Sequence, residues 1–422
     1  MIFPLSFLLV GAAFASALPD PTSVLNDLDC ESGSDLVAAS WYAGWHSADV
    51  PLSGVSWEKY THMTYAFAET TPDPHKLSLA NSDEQLLPEF VKSAHEHGVK
   101  ALVSIGGWTG GLYFSSNVGD ATNRTIFVNT VIDMVTTYGL DGIDIDWEYP
   151  NKLGVGCNVV SPSDTANLLF FLQELRAHPL GSTLIVTAAS SISPWVDENG
   201  NASTDLSGFA SVLTYVAVMN YDIWGSWSNA VGPNAPLDDA CASPANQAGS
   251  ATSAVQAWNA AGIPHDQIVL GVPGYGHSFR VSTAAALPNG ADGALASYPA
   301  FNKADQPLGD RWDDANPGPD VCGNAQGAGG VFNFFGLVEG GFLNDNGTVA
   351  AGIAYAFDEC SQTPFVYNST SQVMVSYDNA DSFAAKGKFI NTLGLRGFAM
   401  WEAGGDFKDI LVDSIRSASG FA

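Results

Sequence analysis

The chain has 422 residues, 46% hydrophobic and only 14% charged. That supplies enough apolar material for a sizeable core and excludes a disordered or coiled-coil chain. Against 44 acidic side chains stand 15 basic ones, a net charge of −29, so no nucleic acid and no anionic membrane is expected as partner, whereas a neutral substrate suits it.

Residues 1–17 (MIFPLSFLLVGAAFASA) carry no charged side chain and end in small residues at Ala15-Ser16-Ala17. The pattern predicts a signal peptide cleaved after Ala17 and a secreted, extracellular protein. Residues 18–37 read as a polar N-terminal extension. Short apolar runs then alternate with helical patterns, the rhythm of βα units around a parallel sheet. The runs are Val37–Tyr42, His62–Ala68, Lys100–Gly106, Gly142–Glu148, Leu184–Ser190, Tyr215–Tyr221, Ile268–Tyr275 and Gly397–Trp401. Eight of them favour a closed α/β barrel, the TIM (β/α)8 fold, over an open sheet. Helices are predicted over Asn123–Tyr138, Ala166–Arg176, Ala251–Ala261 and Ser382–Leu393, the second with Pro162 at its first position. The stretch between the seventh and eighth strands is too long for one helix and two loops. Residues 280–375 are therefore read as a small inserted α+β domain, leaving 38–279 and 376–422 as the barrel.

Asn123, Asn201, Asn346 and Asn368 head Asn-x-Ser/Thr triplets and are glycosylation candidates. The five cysteines show no zinc-binding spacing, so no metal site is expected. We expect disulfides Cys322–Cys360 and Cys157–Cys241 with Cys30 left over, although spacing alone leaves other pairings open.

The chemistry concentrates in residues 141–150, Asp-Gly-Ile-Asp-Ile-Asp-Trp-Glu-Tyr-Pro. Asp144, Asp146 and Glu148 are two apart and share one face of a strand, ~6.6 Å from each to the next. If all three were ionised they would repel, so at least one should hold a proton at neutral pH. The run ends where barrel active sites lie. Local chemistry leaves three readings open: acid–base catalysis, divalent-metal binding and helix capping. His95 and His97, two apart, do not share a helix face and read as a solvated helix end.

The acidic run resembles the Asp-x-x-Asp-x-Asp-x-Glu strand of glycoside hydrolase family 18, the retaining chitinases, here Asp141, Asp144, Asp146 and Glu148. Three further segments resemble that family: Ser104-Ile105-Gly106-Gly107-Trp108, Met219-Asn220-Tyr221-Asp222 and Ala399-Met400-Trp401-Glu402. The resemblance covers about residues 38–415, and the stretch after the seventh strand resembles the family's insertion domain.

The resemblance implies a secreted chitinase cutting β-1,4 links between N-acetylglucosamine units, with chitin and chitooligosaccharides as partners, no cofactor and a monomeric state. It implies a substrate-assisted mechanism, in which the 2-acetamido group attacks the anomeric carbon. Glu148 would then be the general acid and base. Asp146 would hold the acetamido N–H, Asp144 would share a proton with Asp146, and Tyr221 would hold the acetamido oxygen. Trp401 would floor the sugar site. Asp222, Met219, Tyr42, Phe67 and Ser104 would complete its surroundings, and Trp108 and Trp227 would be platforms on the leaving-group side. Trp45, Trp195 and Trp224 are read as core or rim packing. Asp141, Gly106 and Gly107 would be structural. One departure stands out: many relatives carry arginine after Tyr-Gly, whereas His277 follows Tyr275-Gly276 here, leaving Arg280 and Arg311 as substitute candidates. The alternatives are a non-catalytic chitin-binding lectin, disfavoured by the retained Glu148, and an endo-β-N-acetylglucosaminidase acting on N-glycans.

Overall fold

The computed structural model describes residues 36–290 and 293–421. The predicted signal peptide, the extension through residue 35 and Cys30 lie outside them.

In chain order the strands are β1 (Val37–Ala43), β2 (His62–Thr70), β3 (Leu77–Ser78), β4 (Lys100–Gly106), β5 (Gly142–Asp146), β6 (Ile185–Ser190), β7 (Tyr215–Met219), β8 (Ile268–Pro273), β9 (Tyr275–Arg280), β10 (Val331–Asn333), β11 (Ala354–Asp358), β12 (Thr363–Asn368), β13 (Val373–Ser376) and β14 (Gly397–Trp401). The first sheet runs β1-β14-β8-β7-β6-β5-β4-β2, all parallel, and closes by pairing β1 with β2. This is the expected eight-stranded barrel, with β3 added antiparallel to β2.

Alternation along the strands divides the core in two. Inward residues are small or aromatic: Val37, Ala39, Trp41, Ala66, Ala189, Tyr215, Ala217, Val269 and Ala399 form the barrel interior. Their neighbours in sequence, such as Ala38, Tyr42, Met63 and Tyr65, face outward into the larger layer between barrel and helices. A one-residue step inverts the facing.

The helices follow from local chemistry. Helix Ala121–Tyr138 starts where the Asp120 carboxylate accepts the Thr122 and Asn123 amides (2.9 and 3.0 Å) and stops at Gly139, whose φ is 67°. Helix Ala380–Leu393 opens with a reciprocal cap between Asn379 and Ser382. Helix Asp164–Ala177 begins two residues before the predicted Ala166, and Pro162 lies outside it. The Asp164 carboxylate instead turns inward to accept Ser115 Oγ (2.6 Å) and the Ser161 and Asn151 amides (2.8 and 3.1 Å).

Between β8 and β14 the chain builds a second, antiparallel sheet in the order β10-β9-β13-β12-β11. It begins at Tyr275, five residues before the predicted boundary, because β9 follows β8 after Gly274 alone. Two disulfides tie this segment to barrel loops, and both correct the expected pairing: Cys157 is joined to Cys322 and Cys241 to Cys360, with Cα–Cα distances of 5.6 and 5.8 Å. The pairing guessed from sequence joined near neighbours along the chain. The fold instead sets the loop after β5 against one insertion loop, and the loop after β7 against the β11–β12 turn. Among the described residues no helix is long and apolar enough to cross a membrane.

Candidate active site

The C-terminal ends of the barrel strands surround a cleft of about 420 Å³. Its lining includes Asp146, Glu148, Tyr221, Asp222, Met219, Phe67, Trp108 and Trp401, all singled out from sequence, together with Trp41, Tyr149 and Tyr275, which were not. A wider groove of about 1190 Å³ adjoins it and adds Trp45, Trp227, His277 and Trp312.

Asp144 and Asp146 lie on one face of β5, Glu148 follows two residues beyond its end, and the three sit in graded environments. Asp144 is deepest. Its Oδ2 accepts Ser104 Oγ (2.8 Å) and Trp41 Nε1 (3.2 Å), and its Oδ1 accepts Thr187 Oγ1 (2.6 Å). Burial raises its pKa, and these three donors oppose the shift. Asp146 is buried as well, but its Oδ1 has no hydrogen-bond partner. Burial, then the nearby Glu148 and Asp144, push its pKa well above the usual carboxylate range. Glu148, at the mouth, is raised to about 7, chiefly by burial and then by Asp222, with Tyr149 opposing. Three aligned acids therefore favour retained protons, as their spacing suggested.

Tyr221 follows β7. Burial and then the carboxylates Asp146, Asp222 and Glu148 hold its pKa well above the ordinary tyrosine value, so the phenol remains a donor. Asp222 adopts φ 56°, with its amide donating to Asn234 Oδ1 at 2.9 Å. The Asn234 side chain in turn donates its Nδ2 to the Tyr275 carbonyl (3.0 Å), while its backbone amide donates to Ser376 Oγ (2.8 Å). This chain of bonds couples the loop after β7 to the second sheet.

Aromatic rings make the floor. Trp401 stacks on Phe67 at 5.5 Å and 14°, Trp45 stacks on Phe67 at 6.0 Å and 24°, and the two tryptophan rings are 6.3 Å apart, so the three form one cluster. Glycines allow the close approach beneath. A Cβ on Gly106 (φ 104°) would lie 2.2 Å from the Asp146 carbonyl oxygen, and one on Gly107 (φ 82°) would lie 2.9 Å from the Phe67 ring.

Several expectations change. Tyr42 is not in the cleft: it faces outward, is 1% exposed, packs on Tyr65 and Phe90, and donates its hydroxyl to the Val50 carbonyl (2.7 Å). The inward residue of β1 is Trp41, one position earlier. Ser104 does not line the cleft but holds Asp144 from below. Trp45 is 44% exposed along the groove, while Trp195 and Trp224 are buried. Arg280 pairs with Asp305 (2.9 Å) and Arg311 with Glu339, and neither lines the cleft. The residue facing Asp222 is His277, with Nε2 2.7 Å from Asp222 Oδ1. A histidine directly after Tyr275-Gly276 was the available signal. Asp141 lies at the opposite end of the barrel, bonded to His95 Nε2 (2.8 Å), Lys100 Nζ (3.1 Å) and the Ala101 amide (2.9 Å). Of the glycosylation candidates, Asn201 and Asn346 are exposed, Asn368 is half-buried, and Asn123 donates its Nδ2 to the Ser116 carbonyl (3.1 Å).

The arrangement offers a carboxyl of raised pKa beside buried acids, a phenol donor and an aromatic floor, which suits general acid chemistry on a neutral, ring-shaped substrate. The model of glycosyl hydrolases family 18 matches residues 38–406. A protein from Moniliophthora roreri named chitinase-like effector is 52% identical over 385 residues, covering 91% of this chain and 93% of its own. Chitinase A1 of Niallia circulans is 28% identical over 334 residues, 76% of this chain and 42% of that one. The crystal structure of a chitinase from Rhizomucor miehei superposes with a TM-score of 0.81 at 33% identity, covering 91% of this chain and all of that one.

Proposed function

The chain belongs to glycosyl hydrolases family 18, and on that premise we propose that it is a secreted chitinase hydrolysing β-1,4-linked N-acetylglucosamine polymers by a retaining, substrate-assisted route. The observation that carries the reading is the Glu148 carboxyl at the cleft mouth, its pKa raised to about 7 by burial and Asp222. Below that pH it holds the proton that the glycosidic oxygen must receive. Asp146, with an unpartnered Oδ1 facing its own burial, accepts the acetamido N–H and offsets positive charge on the ring. Tyr221 donates to the acetamido oxygen and fixes it for attack. Release of the leaving sugar leaves Glu148 ionised, ready to take a proton from the incoming water. The buried Asp144 supports Asp146 from beneath. Trp401 and Phe67 carry the apolar face of the sugar, and Trp108 and Trp227 extend that surface. Two disulfides support an oxidising, extracellular location, and residues 275–376 serve as the insertion domain that raises one wall of the groove.

A second reading is favoured by one observation: a relative 52% identical is named chitinase-like effector rather than chitinase. On that reading the cleft binds chitooligosaccharides without cutting them. Time-resolved proton NMR with chitohexaose separates the two. Fresh β-anomer products support the retaining chitinase. Binding without cleavage supports the lectin. Neither binding nor cleavage rejects both and points to N-glycans.

A further inference from the structure

Residues 314–328 leave the second sheet as a loop with a closed neck. The Asp313 carboxylate accepts the amides of Gly309 (2.7 Å), Gly329 (2.9 Å) and Gly330 (2.8 Å), drawing the two ends together. At the foot, Trp312 stacks on His46 at 3.7 Å and donates its Nε1 to Asp49 (2.8 Å), which moors the neck to the loop after β1. At the tip, Cys322 is bonded to Cys157, in the loop after β5.

These moorings lie well apart around the barrel mouth. In the closed sheet, β1 and β5 stand three strands apart one way round and five the other, and the inserted segment is rooted between β8 and β14. Fifteen residues reach out roughly 25 Å and back, enough to cross that mouth. Between the neck and the tip none of residues 314–328 is buried, as expected of a chain with solvent on both sides and not of one packed on a wall. Gln326 and Ala328 line the wide groove together with Lys152 and Leu153 of the opposite loop, and the same groove reaches down to Glu148 and Trp401.

We propose that residues 314–328 are a strap, fastened by Cys157–Cys322, that roofs the groove and makes it a tunnel. This rests on the chitinase reading and deepens it. A polymer held under a strap fastened at both ends enters only by threading a free end. The substrates of this site are therefore chain ends and short chitooligosaccharides, not internal segments of long chains. A strap open at one end would admit a chain sideways anywhere along its length.

The test compares the wild type with the double variant Cys157→Ser/Cys322→Ser on chitohexaose and on glycol chitin, a soluble long-chain polymer, following the fall in viscosity for the polymer. Unfastening should raise the polymer rate relative to the hexamer rate about tenfold, with early viscosity loss showing internal cuts. An unchanged ratio in a folded double variant overturns the strap. Ala328→Trp, which leaves the disulfide intact, provides the second measurement: an indole beneath the roof should weaken chitohexaose binding about tenfold, and unaltered binding places the loop away from the groove and overturns the proposal. If no protein cleaves the hexamer, the catalytic reading fails separately. The strap is then judged by tryptophan fluorescence on mixing with glycol chitin: faster association in the double variant supports it, and equal association overturns it.

Discussion

Replacing Glu148 by Gln should remove activity and add stability, and the second effect is dictated by the pKa. Burial and Asp222 raise the Glu148 carboxyl from 4.5 to about 7 in the folded chain. A carboxyl whose pKa is higher folded than unfolded binds its proton more tightly in the folded state. Its contribution is fully present below pH 4.5 and is lost as pH rises toward 7. Above 7 the folded state has lost about 3 kcal/mol relative to its acid form, at about 1.36 kcal/mol per unit. Gln has the shape of the acid but never ionises, so it escapes the loss. It also removes a charge that raises the Asp146 pKa, which works in the same direction. At roughly 2 cal/mol/K per residue, the gain corresponds to a Tm higher by about 4 °C at pH 8, with no difference at pH 4. Differential scanning calorimetry at the two pH values, beside chitohexaose hydrolysis, measures both effects. Equal Tm values at pH 8, or hydrolysis near the wild-type rate, would refute the placing of a retained proton on Glu148.

The remaining predictions address other parts of the site. The wild-type kcat/KM on chitohexaose should fall about tenfold per pH unit above about 7, as Glu148 loses its proton; a flat profile to pH 9 contradicts this. Asp146→Asn should lower kcat by about 10²–10³ in steady-state assays, since the buried unpartnered Oδ1 is the acetamido acceptor; a loss under threefold argues against acetamido assistance. Tyr42→Phe should cost only about 1 kcal/mol in urea unfolding, from the lost bond to the Val50 carbonyl, with hydrolysis intact, whereas Trp41→Phe removes a donor from Asp144 and should lower kcat about tenfold. Reversed effects would exchange the facing of β1. Cys241→Ser/Cys360→Ser opens a cross-link over 119 residues and should cost up to about 5 kcal/mol in urea unfolding, with hexamer hydrolysis retained at 25 °C; an unchanged unfolding midpoint would show that this link does not hold the insertion.

Much of this protein is set by patterns of short range. Eight apolar runs at βα spacing imply the barrel, because a parallel strand buried on both faces needs that composition and a helix to return. The period of two along residues 144, 146 and 148 places three acids on one face and so implies raised pKa values before any coordinates exist. Glycines at 106 and 107 foreshadow a close approach, though not that the Asp146 carbonyl and the Phe67 ring are what approach. Three features were decided only by tertiary structure. Trp41 and Tyr42 are adjacent aromatics in an apolar run, so composition does not say which faces inward; the register of β1 against β2 and β14 does. The bonds Cys157–Cys322 and Cys241–Cys360 join residues 165 and 119 apart, and cysteine spacing carries no information on which loops meet. His277 and Asp222 are 55 residues apart and come within 2.7 Å only because β9 follows β8 without a helix, bringing the second sheet against the loop after β7. Period and composition are properties of neighbours along the chain, whereas facing, cross-links and the far wall of the cleft depend on which distant segments the closed barrel brings together.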